Sequence, residues 1–289
     1  MEAAYMAIES IGVVGAGQMG TGIAQVAASA GFQVRLLDVN EALAEKACAR
    51  IDSALATQVK KGKLDDNVRR ETMARIKPAH DFKQLSDVQL VIEAAIEDVN
   101  IKCAIFREAE AVTAPETILA SNTSSIPITK LAAAVKQPER FIGMHFMNPP
   151  PLMRLVEIIR GLQTSDQTTE LVRTVTERMG KVIVSATDMP GFIVNRMLIP
   201  FLNEACFALQ EGLGTPDDID MGAKLGLNHP MGPLELADLI GLDTVLYIGE
   251  VLHREFGDQK YRPPTILRNH VSAGWLGRKT GRGFYKYPR

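Results

Sequence analysis

Ile11-Gly12-Val13-Val14-Gly15-Ala16-Gly17-Gln18-Met19-Gly20 decides the fold. Its first four residues have the apolar, β-branched character of a buried strand, and Gly22-Ile23-Ala24-Gln25-Val26-Ala27-Ala28 beyond the glycines is helical. In a strand, glycine turn and helix so ordered, Gly15 makes the tight turn and Gly17 lets the backbone approach a pyrophosphate. Gly20 lets helix pack closely on strand, with the helix N-terminus facing the phosphates. A glycine motif alone is weak evidence, since a structural turn reads the same way. Here Gly31 ends the helix, Phe32-Gln33-Val34-Arg35-Leu36-Leu37 reads as a second strand, and Asp38 closes it 18 residues beyond Gly20. A carboxylate at that place binds a ribose 2′-hydroxyl and repels a 2′-phosphate, which favours NAD over NADP. Arg35, three residues earlier, is the contrary sign.

Gln89-Leu90-Val91-Ile92-Glu93, Thr117-Ile118-Leu119-Ala120 and Phe141-Ile142-Gly143-Met144 read as further strands with helical segments between them. This alternation predicts an α/β fold, a Rossmann-type doubly wound and mostly parallel sheet that binds ligands beyond the carboxyl ends of its strands. Polar residues stand at those ends: Asp38, Glu97 and Lys102, Ser121-Asn122-Thr123-Ser124-Ser125, and His145. Each has a plainer reading. One of the serines can cap the helix after Ile126-Pro127-Ile128, and Glu97 and Lys102 can be exposed charges at a helix start.

His145 by itself would be read as a satisfied core histidine. After it come Asn148 and Pro149-Pro150-Pro151, which deny helix to the residues before them, and then Leu155-Val156-Glu157-Ile158-Ile159. Met153 to Ile159 is therefore expected to double back beside the strand carrying His145, seating Glu157 within reach of the imidazole. A carboxylate that keeps one ring nitrogen protonated leaves the other to act as a general base near neutral pH.

Length and composition bound the rest. The chain has 289 residues, 46% hydrophobic and 23% charged, which allows two domains with a substantial core. A formal net charge of −2 points to neither nucleic acid nor membrane as a partner. The 24 residues from Ile11 to Val34 lack charge, but six glycines and three glutamines interrupt them, so they are not a membrane span. Cys48, Cys103 and Cys206 are too scattered for a disulfide framework or a zinc site; no metal is expected, and a reducing, cytoplasmic compartment is.

Residues 41–73 are helical in period and broken at Lys61-Gly62-Lys63, predicting a helical hairpin that stands off the sheet. Lys60, Lys61 and Lys63 make its bend basic, which fits either a substrate phosphate or a solvated turn. At Asp188-Met189-Pro190-Gly191 the pattern turns helical to near the end, so the expected domains are 1–188 and an all-α 189–289. Phe192 to Leu209 reads as a long amphipathic helix closed by Gly212, and Thr215-Pro216-Asp217-Asp218 starts another. So small a helical domain has limited core of its own, and burial against a second copy is expected. The glycine-rich tail Gly277-Arg278-Lys279-Thr280-Gly281 is expected to fold back.

These residues together resemble the L-3-hydroxyacyl-CoA dehydrogenases, in size most of all the free-standing bacterial enzymes acting on 3-hydroxybutyryl-CoA. The resemblance covers nearly the whole chain. It rests on the glycine motif, Ala120 to Ser125, Gly143-Met144-His145-Phe146-Met147-Asn148-Pro149, Leu155-Val156-Glu157, Pro190-Gly191-Phe192-Ile193-Val194-Asn195-Arg196 and Gly277 to Gly281. It implies NAD as oxidant, a CoA thioester as substrate and a homodimer formed through the C-terminal domain. It also implies His145 as base, Glu157 as its orienting partner, and Ser124 and Asn195 as polar contacts near the reacting centre. Gly15, Ala16, Gly17, Gln18, Met19, Gly20, Asp38, Glu97, Lys102, Ser124, Asn148 and Lys279 fall on cofactor positions, and Ser53, Lys60, Ser124 and Asn195 on substrate positions. Two other readings use the same nucleotide fold: a dehydrogenase of a free small β-hydroxy acid, and a non-catalytic NAD-binding protein.

Overall fold

The computed structural model describes residues 7–288. The chain divides into two compact units, one ending at Met189 and the other beginning at Pro190. The first unit runs β1 (Ser10–Val14), α1 (Gln18–Ser29), β2 (Gln33–Leu37), α2 (Glu41–Lys60), α3 (Asp66–Ala74), β3 (Ile76–Ala79), β4 (Leu90–Glu93), α4 (Val99–Val112), β5 (Ile118–Ser121), α5 (Ile128–Ala132), β6 (Phe141–Phe146), β7 (Leu155–Arg160), α6 (Asp166–Arg178) and β8 (Val182–Thr187). Its eight strands form one sheet in the order β3-β2-β1-β4-β5-β6-β7-β8. Every neighbouring pair is parallel except β6 and β7. The order turns back on either side of β1, which is the mark of a doubly wound sheet.

Burial follows the sequence pattern. Ile11, Val13, Val34, Leu36, Leu90 and Ile92 lie in one core with Ile23, Ala24 and Ala27 of α1. Parallel strands covered on both faces need such near-continuous apolar runs. The two edge strands, β3 and β8, are the ones the sequence reading did not single out. Lys77 and Pro78 of β3 are exposed, and Val182 of β8 is half exposed, so neither has a clean apolar signal. A proline, lacking an N–H, is tolerated in a strand at the sheet edge.

The hairpin forms as expected, bending after Lys60, but it does not stand off the sheet. Ala47, Ile51 and Leu55 of α2 recur at helical spacing and join the sheet's own core, while the opposite face of α2 and the bend with Lys60, Lys61 and Lys63 are exposed.

The second unit is helical: α7 (Val194–Gln210), α8 (Pro216–Met221), α9 (Pro233–Ile240), α10 (Leu242–Phe256) and α11 (Thr265–Ser272). Thr215 begins α8 with a capping box to Asp218, and Pro216 occupies the first turn, where its missing N–H costs nothing. The tail folds back through bridges from Arg282 to Gly277 and Lys286. The buried carboxylate of Asp238 on α9 anchors it, accepting hydrogen bonds from the amides of Phe284 and Tyr285 at 3.0 and 2.9 Å and from the Tyr287 hydroxyl at 3.0 Å. Among the described residues no helix is long and apolar enough to cross a membrane.

Candidate active site

Because β1, β2, β4, β5 and β6 run parallel, their carboxyl ends gather at one edge of the sheet. The glycine turn follows β1 there, and helix α1 begins inside it, with Gly17 at the N-cap. Gly15 has φ +105°, and a Cβ on Gly20 would lie 1.7 Å from the Gly15 carbonyl oxygen, so turn and helix touch through bare backbone. A Cβ on Gly17 would meet nothing within 4 Å. That open side faces a cavity of about 1170 Å³ lined by Gly15, Gly17, Asp38, Val39, Ile96 and Ile101. The first amides of α1, unsatisfied within the helix, favour an anion at this end. A dinucleotide's pyrophosphate fits such a cradle.

Asp38 stands at the rim. Its Oδ2 accepts from the Ala16 amide at 2.6 Å and its Oδ1 from the Val39 amide at 2.8 Å, so its position is fixed by backbone. Arg35 points elsewhere, pairing with Asp87 at 3.0 Å, and does not line the cavity. The contrary sign for a 2′-phosphate thereby disappears.

Glu97 and Lys102 are not the exposed charges that their sequence position allows. Lys102 is buried, 1% exposed, with Nζ 2.6 Å from Glu93 Oε1 and 3.3 Å from Glu97 Oε2. Oε1 of Glu97 accepts from the Thr123 hydroxyl at 2.6 Å, the Ser124 amide at 2.9 Å and the Ser125 amide at 3.1 Å. Burial pushes the Glu97 carboxyl up, but the Lys102 charge and these donors outweigh it and hold it below the ordinary carboxylate range. For Glu93 burial wins and raises it. None of the serines after β5 caps the next helix at its N-cap. Pro127 stands there, and Asp188, 60 residues from Ile128, accepts from the amides of Ile128 and Thr129 at 2.7 Å each.

His145 lies within β6, which extends to Phe146, two residues beyond the expected strand. The chain doubles back as β7, and the antiparallel register sets His145 directly opposite Glu157. Nδ1 of His145 is 2.7 Å from Glu157 Oε2, with the imidazole 9% exposed and the carboxylate fully buried. Asn148 in the connecting loop accepts from Gln18 Nε2 of the glycine motif at 3.0 Å, and Pro150 packs where a Cβ on Gly22 would lie, 2.8 Å from its Cδ. Lys181 Nζ closes the loop by donating to the carbonyls of Pro150 and Met153 at 2.6 and 2.8 Å. Loop and glycine motif are thus one assembly.

Other expected positions lie outside this network. Ser53 and Lys60, seven residues apart on α2, are both exposed. In the second unit Asn195 is buried in the first turn of α7, and Lys279 pairs with both oxygens of Asp243 at 2.6 Å. The sequence gives Lys181 no part, Glu93 only the end of a strand and Asp188 only the domain boundary, and the carboxylate at that strand's carboxyl end is the one signal that points to a role for Glu93.

Known proteins are similar to this chain over nearly its whole length. The family model "3-hydroxyacyl-CoA dehydrogenase, NAD binding domain" matches residues 10–189, and the corresponding C-terminal domain matches 191–287. A probable 3-hydroxybutyryl-CoA dehydrogenase of Bacillus subtilis is 51% identical over 282 residues, covering 98% of each chain. The 3-hydroxybutyryl-CoA dehydrogenase of Bradyrhizobium diazoefficiens is 53% identical over 280 residues, 97% of this chain and 96% of the relative. The crystal structure of (S)-3-hydroxybutyryl-CoA dehydrogenase from Ralstonia eutropha superposes with a TM-score of 0.95 at 49% identity, covering 98% of this chain and 100% of that one.

Proposed function

The chain belongs to the 3-hydroxyacyl-CoA dehydrogenase family of NAD-dependent oxidoreductases, and we propose that it reversibly oxidises (S)-3-hydroxybutyryl-CoA to acetoacetyl-CoA. The substrate is taken from the relatives' names, and the facing pair His145 and Glu157 carries the chemical reading.

Glu157 accepts the proton on Nδ1 of His145, which makes Nε2 the basic nitrogen. This tautomer is assigned from the carboxylate partner. His145 takes the proton of the substrate's 3-hydroxyl, and Glu157 stabilises the imidazolium that results. Bound NAD supplies the hydride acceptor. In the reverse direction the same imidazolium returns its proton to the ketone oxygen, so reduction favours lower pH than oxidation. Ser124 and Asn195 hydrogen-bond the substrate's oxygen atoms and orient C3.

Exposed Lys60, with Lys61 and Lys63 beside it and Ser53 two turns earlier on α2, is assigned to the phosphate-bearing end of CoA. Gln18, Met19 and Asn148 join the glycines and Asp38 as cofactor contacts, Glu97 and Lys279 are assigned to the same task, and buried Lys102 serves it through the two carboxylates it bridges. The second unit is assigned to homodimerisation. Its exposed Leu213, Leu225 and Leu227, at 82, 78 and 63%, are the apolar side chains that this reading places against a second copy.

Following NADH oxidation with acetoacetyl-CoA, with free acetoacetate and with NADPH in parallel tests the whole reading. Fast turnover with acetoacetyl-CoA and NADH alone is expected. Preference for free acetoacetate would assign the chain to small β-hydroxy acids, and no turnover with either would make it a binding protein.

A further inference from the structure

Glu93 ends β4 with its side chain fully buried. Its Oε1 accepts from Lys102 Nζ at 2.6 Å and the Ala95 amide at 2.7 Å, and its Oε2 from the Ser121 hydroxyl at 2.7 Å. Lys102 passes the connection on to Glu97, and Glu97 gathers Thr123, Ser124 and Ser125. Two carboxylates and one ammonium therefore tie together the end of β4, the first turn of α4 and the loop after β5.

Stability alone is a poor reason for such a cluster. Replacing a buried ion pair with apolar side chains of similar volume is often neutral or stabilising, because desolvation offsets the Coulomb gain. Charged hydrogen bonds add directionality, and here they fix two loops. Residues 94–96 wall the cavity at the glycine turn, and Ser124 sits on the other loop.

We infer that Glu93 is a positioning residue, which through Lys102 and the Ala95 amide sets the wall of the cofactor cavity, and through Ser121 and Glu97 sets the loop that presents Ser124. Lys102 on this account acts chiefly as the bridge between two carboxylates. The cavity half stands on the NAD-binding fold alone, whereas the Ser124 half rests on the proposed function.

Three variants test it: Glu93→Gln, Lys102→Met and the two combined, with NADH affinity followed by fluorescence titration and folding by circular dichroism. Each single change is expected to weaken NADH binding by about tenfold, and the pair by no more than the worse single, because both break one cluster. Wild-type affinity in a folded Glu93→Gln, or losses that multiply in the pair, overturns the inference. If Glu93→Gln does not fold, Glu93→Asp keeps the charge but retracts it by one methylene, and unchanged NADH affinity in that variant is equally fatal. At saturating NADH, Glu93→Gln should also lower kcat on acetoacetyl-CoA, and an unchanged kcat removes the Ser124 half. Wild-type protein that binds NADH but ignores acetoacetyl-CoA would instead refute the proposed function, leaving the titrations to judge the cavity half.

Discussion

His145 and Glu157 stand directly across from one another in the antiparallel pair β6 and β7, with Nδ1 and Oε2 2.7 Å apart. Twelve residues separate them in sequence, and the backbone register fixes their spacing. Replacing Glu157 by glutamine keeps the shape and removes the charge that stabilises the imidazolium. Turnover is expected to fall by up to about 10⁴-fold, the loss that follows when the carboxylate orienting the histidine of a serine-protease triad is made an amide. The pH dependence of kcat should shift as well, and a profile identical to wild type would reduce Glu157 to a packing role.

Gly17 and Gly20 should separate binding from folding. A methyl group at Gly20 collides with the Gly15 carbonyl, so Gly20→Ala should cost about 1 to 3 kcal/mol of stability, the range for overpacking. At Gly17 a methyl group meets only the cavity, so Gly17→Ala should keep the melting temperature and lose NADH affinity. Thermal melts and NADH titrations on both variants check this. A Gly17→Ala that binds NADH normally would move the cofactor away from the turn.

The contrast between these glycines and Glu93 shows what could be read from the chain. The glycine turn, Asp38 and the His145 to Glu157 return are local patterns in which backbone conformation and strand period fix the geometry over a short span. Glu93, Lys181 and Asp188 work through contacts that no local spacing records. Asp188 caps a helix 60 residues away, and Lys181 holds carbonyls 28 and 31 residues before it. The strands β3 and β8 escaped because an edge strand has only one neighbour and partly exposed faces, which weakens its apolar signal.

Lys181 holds the loop that carries Asn148, and Asn148 contacts Gln18. Lys181→Met retains the aliphatic stem and removes both hydrogen bonds to carbonyls. KM for NADH should rise several-fold with a smaller change in kcat, and Lys181→Arg should recover part of the loss. Equal effects on kcat and KM, or no effect, would contradict a positioning role for this lysine.

Glu93 and Glu97 should leave opposite marks on stability against pH. The Glu97 carboxyl is lowered from its ordinary 4.5, so its contribution is fully present above pH 4.5 and is lost as pH falls through the folded value. The Glu93 carboxyl is raised from 4.5, so its contribution is fully present below pH 4.5 and declines as pH rises through the folded value. Melting temperatures from about pH 3 to about pH 7 should therefore show a flatter acid limb in Glu97→Gln and a flatter decline above pH 4.5 in Glu93→Gln. The same slopes in both variants as in wild type would contradict these assignments.

The most direct measurement is the turnover of acetoacetyl-CoA with NADH by His145→Gln, made beside an NADH titration of the same preparation. A fall in kcat of about 10²-fold to 10⁴-fold with NADH affinity unchanged is the expected result for a positioned acid-base group. Full activity in the folded variant would contradict proton transfer by His145.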